Sequence, residues 1–142
     1  MAVSLDVSGQ PVDTAYVRTA GAPVAIKLEY DGRRLKADRE DLAYVTVSIV
    51  DADGNLCPLA DSPVSFDVTG PGSFRACANG DPTCLEPFQG PTMHAFNGKL
   101  SILVQSADPD CRHGLTARSG RIVLTVRSRG LRRSRLVLRS SL

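Results

Sequence analysis

The groups in this 142-residue chain that could carry chemistry are two histidines, four cysteines and a few carboxylates beside glycine turns. A nucleophilic triad needs a base, and neither His94 nor His113 lies near a Gly-x-Ser-x-Gly elbow. A phosphate cradle needs a glycine-rich loop that opens a helix, whereas Gly70-Pro71-Gly72 joins two strand-like runs. Cys57, Cys77, Cys84 and Cys111 contain no Cys-x-x-Cys and fit no zinc spacing. They read as small buried hydrophobes. Of the possible disulfides, a local Cys77–Cys84 bridge is the most feasible. Asp51-Ala52-Asp53-Gly54-Asn55 has the look of a calcium loop, but Leu56 stands where glycine is needed and Ser62 where a bidentate glutamate is needed. A hairpin turn explains it better. Hydrolysis by paired carboxylates requires two that face each other. Of Glu29, Glu40 and Glu86 only Glu86 falls in a site-like loop, so no pair can be nominated. No catalytic residue, metal or cofactor is expected, and the chain does not read as a self-sufficient enzyme.

Whatever these residues do, strands must position them. Val24, Ile26, Leu28 and Tyr30 alternate with polar or small residues, as do Val45, Val47 and Ile49, then Val64, Phe66 and Val68. Leu100, Ile102 and Val104 follow, then Ile122, Leu124 and Val126, and finally Leu136 and Leu138. A period of two with β-branched enrichment marks strands with one face in a core. Turn signals separate the runs: Asp31-Gly32, Asp53-Gly54-Asn55, Gly70-Pro71-Gly72, Asn79-Gly80-Asp81-Pro82, Asn97-Gly98, Ser119-Gly120 and Arg129-Gly130. The pattern predicts an all-β fold, an immunoglobulin-like antiparallel sandwich of about seven strands over residues 21–142. Residues 1–20 read as a separate hairpin, the end of a preceding β-sandwich module plus a joint at Thr19–Pro23. The stretch from Ala78 to Ala95 reads as one long loop of the kind that carries function. Its candidate binding residues are Asn79, Asp81, Glu86 and His94.

Charge adds one feature. The total of 17 basic against 15 acidic residues hides eight basic and fifteen acidic up to Asp110, then nine arginines and no acid. Alternation places most of those arginines on the solvated face of the last two strands, where charge also discourages edge pairing. Acidic early strands are expected as their sheet neighbours. Arg132 and Arg133 are adjacent and cannot both follow the alternation, which makes them interface candidates. The alternative is a polyanion- or glycan-binding module built on the arginine strands. With three Tyr, four Phe and no Trp, neither a base-stacking nucleic-acid platform nor a sugar-stacking module is favoured. No stretch of about eighteen apolar residues exists, so no membrane partner is expected. Met1 to Gln10 do not read as a signal peptide.

The run from Asp41 to Asn55 resembles a known module, and the likeness continues through Pro63–Gly72, Asn79-Gly80-Asp81-Pro82-Thr83, Glu86-Pro87-Phe88 and Ala95–Leu100. The series resembles the C-terminal immunoglobulin-like domain of glycoside hydrolase family 2 enzymes, in particular the β-galactosidase group of gut Bacteroidetes. Val17–Pro23 is similar to the joint after the preceding β-sandwich module in these enzymes. The likeness covers about residues 12–127. It implies a non-catalytic scaffold or interface module, because the family's catalytic glutamates lie on a (β/α)₈ barrel that this chain lacks. It implies other modules of the parent glycosidase, above all the barrel, as partners, and export to the periplasm or beyond. The basic tail after Gly130 and the apparent insertion Asp108–His113 depart from the pattern.

Overall fold

The computed structural model describes residues 2–15, 18–106 and 119–141. Cys111, His113 and the apparent insertion lie outside the described residues. Eleven strands are described: β1 (Ala2–Leu5), β2 (Pro11–Ala15), β3 (Ala25–Glu29), β4 (Leu35–Lys36), β5 (Leu42–Val50), β6 (Pro63–Thr69), β7 (Ser73–Ala78), β8 (Thr92–His94), β9 (Lys99–Gln105), β10 (Gly120–Ser128) and β11 (Ser134–Ser141). β1 and β2 form a sheet of their own. The other nine make a sandwich, with one sheet in the order β4-β11-β10-β6-β8 and the other β3-β5-β9-β7.

The alternation seen in the sequence is realised in the core. Val45, Val47 and Ile49 of β5, Ile102 and Val104 of β9, Val64 of β6 and Ile122, Leu124 and Val126 of β10 are all fully buried between the sheets. Every connection from β3 to β10 crosses from one sheet of the sandwich to the other, and within the sandwich only β10–β11 is a hairpin in one sheet. Loops therefore collect at the two ends of the sandwich.

The sandwich has nine described strands against the expected seven or so, and three of them, β4, β7 and β8, lie outside the six alternating runs. β4 pairs parallel with β11, Ser140 opposite Leu35, so the sandwich is not wholly antiparallel. β7 has the sequence Ser-Phe-Arg-Ala-Cys-Ala, with no β-branched residue, and its register slips between Phe74 and Ala76, which hides its period. β8 pairs with β6, Val64 opposite Met93, so the expected loop of 78–95 shortens to 79–91.

The turn after β5 is organised by Asp51, which is 5% exposed. Its Oδ2 accepts from the Gly21 amide at 2.9 Å and from Asn55 Nδ2 at 3.1 Å, and its Oδ1 from the amides of Asp53 (2.9 Å) and Asn55 (2.8 Å). The carboxylate is thus saturated by donors. It closes a turn and ties the incoming segment at Gly21 to the sandwich. The Gly21 amide, then the Asn55 side chain, hold its pKa down to about 2 from 3.8. Because the folded value is depressed, this stabilisation is complete above the unfolded pKa and is lost as pH falls from about 4 towards 2. Asp51→Asn should lower Tm at pH 7 by roughly 5–10 °C and flatten the decline between pH 4 and 2, as read by thermal melts across that range.

Candidate interface at the entry end of the sandwich

Strand register gathers the candidate residues at one end. β3 starts opposite the end of β5, with Ala25 against Val50, and β9 starts with Lys99 against Ser48. β6 starts with Pro63 against His94, and β10 ends with Ser128 against Val64. Cross-links confirm the grouping: Arg132 N–H donates to Val24 O at 3.0 Å, Ala95 to Ser62 O at 3.1 Å and Gly98 to Ala60 O at 2.9 Å. The joint before β3, the loops 51–62 and 79–91 and the turns 95–98 and 129–133 share this end. So do Asn79, Asp81, Glu86, His94, Arg132 and Arg133.

Four of those six form one cluster. Asn79 Nδ2 donates to His94 O at 3.0 Å and to Cys84 Sγ at 3.5 Å, while Asn79 Oδ1 accepts from the Asp81 amide at 3.0 Å. Asp81 Oδ1 in turn caps Thr83, accepting from its amide (2.8 Å) and its hydroxyl (2.7 Å). Glu86 grips His94 twice, Oε2 accepting from the amide at 2.9 Å and Oε1 lying 2.8 Å from the ring Nδ1. The His94 amide, then its ring, hold the Glu86 carboxyl below the usual glutamate range. A general acid needs the opposite shift. Glu40 sits at the far end, just before β5, and Glu29 lies on β3 opposite Thr46, so neither faces Glu86. The cluster spends its polar groups on itself and braces the loop.

That bracing fixes what the loop displays. Leu85 is 98% exposed and Phe88 61% exposed. At the same end, Arg18–Gly21, Pro23 and Leu56–Ala60 line a groove of about 500 Å³, Leu59 among them at 95% exposure. Sequence reasoning missed Leu59, Leu85 and Phe88. They stand singly in turn-rich segments, where no periodicity singles them out.

The cysteine reading needs one correction. Cys57, Cys77 and Cys84 are free thiols, so a Cys77–Cys84 bridge is not formed. Cys77 is fully buried with its thiol 3.4 Å from Phe88 O, and burial pushes its pKa up to about 11. Cys84 instead turns to Asn79 and Glu86.

The arginines follow the alternation but not the expected neutralisation. Arg121 and Arg127 of β10 and Arg135 and Arg139 of β11 are exposed on the outer face, and Arg129, Arg132 and Arg133 are exposed around the intervening turn. The early acids are engaged elsewhere, Asp31 and Asp41 by Arg33 and Glu29 by Lys27. β6 is a sheet neighbour of β10, as expected of an early strand, yet it brings only Asp67 to this face, opposite Thr125. Among the described residues no ion pair reaches any of the seven arginines. Arg132 and Arg133 lie at the entry end, Arg132 bridging to Ala25 through its backbone.

The family model for the glycoside hydrolase family 2 C-terminal domain 5 matches residues 26–137. The chain belongs to this family. It is 38% identical over 127 residues to the β-galactosidase BoGH2A of Bacteroides ovatus, covering 89% of this chain and 14% of that protein. A solved family 2 member from Bacteroides cellulosilyticus superposes with a TM-score of 0.86 at 27% identity, over 99% of this chain and 17% of that one. A β-glycosidase from Bacteroides vulgatus superposes with a TM-score of 0.82 at 30% identity, over 92% of this chain and 16% of that one. The family 2 C-terminal domain thus spans about one-seventh of the length of the first of these relatives. It is the all-β sandwich that the alternation predicts.

Proposed function

We propose that this family 2 domain is a non-catalytic C-terminal module of a β-galactosidase-like glycosidase, and that its entry end docks against the rest of the parent, including the catalytic barrel. The observation that carries this reading is the convergence at one end. There the joint, the braced loop with Leu85 and Phe88, the groove beside Leu59 and the Arg132–Arg133 pair all lie together. Large exposed apolar side chains held on a rigid frame are the usual makings of an interface core. The one loop carboxylate that could have served catalysis, Glu86, is instead consumed in bracing.

In this reading residues 1–20 are the end of a preceding β-sandwich module plus the joint. A lone two-stranded hairpin is marginal in water. Val3, Leu5 and Val12 of β1 and β2 are exposed, which suits strands that continue another sheet. The match to the Bacteroides cellulosilyticus protein takes in 99% of the chain and so extends beyond the family match at 26–137. The parent would hydrolyse a glycoside, as the named β-galactosidase relative supports, and would do so outside the cytoplasm, as the family resemblance implies.

The test compares the parent glycosidase with a version lacking the module. Loss of the module should shorten the thermal half-life and expose apolar surface to a dye such as ANS, and restoring the module with Leu85→Ser plus Phe88→Ser should recover only part of either. Unchanged half-life and dye binding after removal would refute the docking role.

A further inference from the structure

The sheet face remote from the core carries a second feature that docking at the entry end does not use. Arg121 and Arg139 stand directly opposite each other across β10 and β11, a like-charge pair that costs stability in an isolated sheet. From this pair the arginines continue through Arg135 to Arg127, and Arg121 and Arg127 are about 20 Å apart at ~3.4 Å per residue. Arg129 extends the strip into the turn.

Shallow depressions lie beside the strip. One of about 420 Å³ is lined by Arg34, Arg139 and Val137 with Tyr30 and Gly32. Towards the other end two more, of about 180 and 440 Å³, share Arg127, and the larger also has Arg129. Asp67, the single acid at this face among the described residues, lines the smaller one.

We infer that the arginine face of the five-stranded sheet binds an anionic polysaccharide, laid along β10 and β11 with its carboxylate or sulfate groups held in the depressions by Arg34 and Arg139 at one end and Arg127 and Arg129 at the other. Several observations select this occupant. Among the described residues only Asp67 faces the positive strip, and no ion pair reaches its arginines, whose guanidinium groups pair with carboxylates and sulfates in bidentate fashion. A protein partner would need large apolar anchors, and this face offers only the half-exposed Val137. A single-stranded nucleic acid would stack its bases on aromatic platforms, and no aromatic lies on the outward positions of β10 or β11. The choice of a glycan among polyanions rests on the glycosidase-module reading above.

The test uses the 142-residue chain with a heparin-derived oligosaccharide, polygalacturonate and a single-stranded DNA oligomer of matched charge, titrated at several salt concentrations. Binding to at least one of the two polysaccharides is expected. Arg121→Ser/Arg127→Ser/Arg139→Ser should weaken it at least tenfold and reduce the dependence of log affinity on log salt by about the three cations removed. Lys27→Ser/Arg75→Ser/Lys99→Ser removes the same charge from the other sheet and should leave affinity within about threefold. Far-UV circular dichroism checks that both variants fold. No binding at low salt, or equal weakening by the two variants, overturns the proposal. DNA binding tighter than either polysaccharide overturns the choice of a glycan and leaves the module reading standing. The wild-type titration reports directly even if a variant fails to fold, in which case Arg127→Lys plus Arg139→Lys should still weaken binding by removing the bidentate forks.

Discussion

Gly98→Ala should lower the unfolding free energy by about 3 kcal/mol or more, the larger of two losses expected from single substitutions. Asn97 and Gly98 are the central residues of the β8–β9 turn, with φ of 51° and 73°. Phe96 and Lys99 close it with reciprocal backbone hydrogen bonds of 2.9 and 3.0 Å. A two-residue turn with both φ values positive favours Asn-Gly, because these residues adopt the left-handed region at the least cost. Alanine at 98 meets the ordinary cost of positive φ and a second obstacle. Its Cβ would lie 2.3 Å from the carbonyl oxygen of Cys57. That carbonyl cannot easily retreat, because Cys57 N–H donates to Ile49 O at 2.9 Å and Gly98 N–H to Ala60 O at 2.9 Å. Gly80→Ala is the control. Its φ of +80° carries the same conformational cost, but nothing lies within 4 Å of the new Cβ. It should cost only about 1 kcal/mol. Urea denaturation of both variants separates strain from collision. Equal losses would show that the Cys57 contact carries no weight.

Leu124→Ala is expected to cost about 3 kcal/mol, within the range for deleting a fully buried leucine side chain. Leu124 is completely buried midway along β10, which pairs with both β11 and β6, Leu136 and Val68 being its register partners. Neighbouring strands hold the backbone on both sides, so the space vacated cannot close by collapse of an edge. Val137→Ala, on the exposed face of β11 at 39% exposure, should cost under about 1 kcal/mol. Denaturant midpoints at constant m-value would check the pair.

The alternation of Val45, Val47 and Ile49 or of Ile122, Leu124 and Val126 made the sandwich legible, because each run spans a full pleated strand with one buried face. β4 and β8 escaped notice since two or three residues cannot display a period. β7 escaped because its bulge after Phe74 breaks the alternation and it has no β-branched residue. At the entry end, Asn79, Asp81, Glu86 and His94 stood out by residue type, and the structure brings all four together. What the sequence left hidden was their direction. Glu86 and His94 are eight residues apart, and only the fold brings the Glu86 carboxylate onto the His94 amide and ring. Leu59, Leu85 and Phe88 are apolar residues in loops, and their exposure follows from the path of the chain rather than from local pattern. The charge division had a different fate. Counting predicted a basic final hairpin, but which acids would face it depended on strand order, and among the described residues strand order supplied only Asp67.

The central claim is that this family 2 domain braces and docks without catalysing. It is tested most directly by assaying the purified 142-residue chain against nitrophenyl glycosides, with β-galactoside first, beside a Glu86→Gln variant. No turnover above the buffer rate is predicted for either protein. Turnover that co-purifies with the chain and disappears in Glu86→Gln would contradict it.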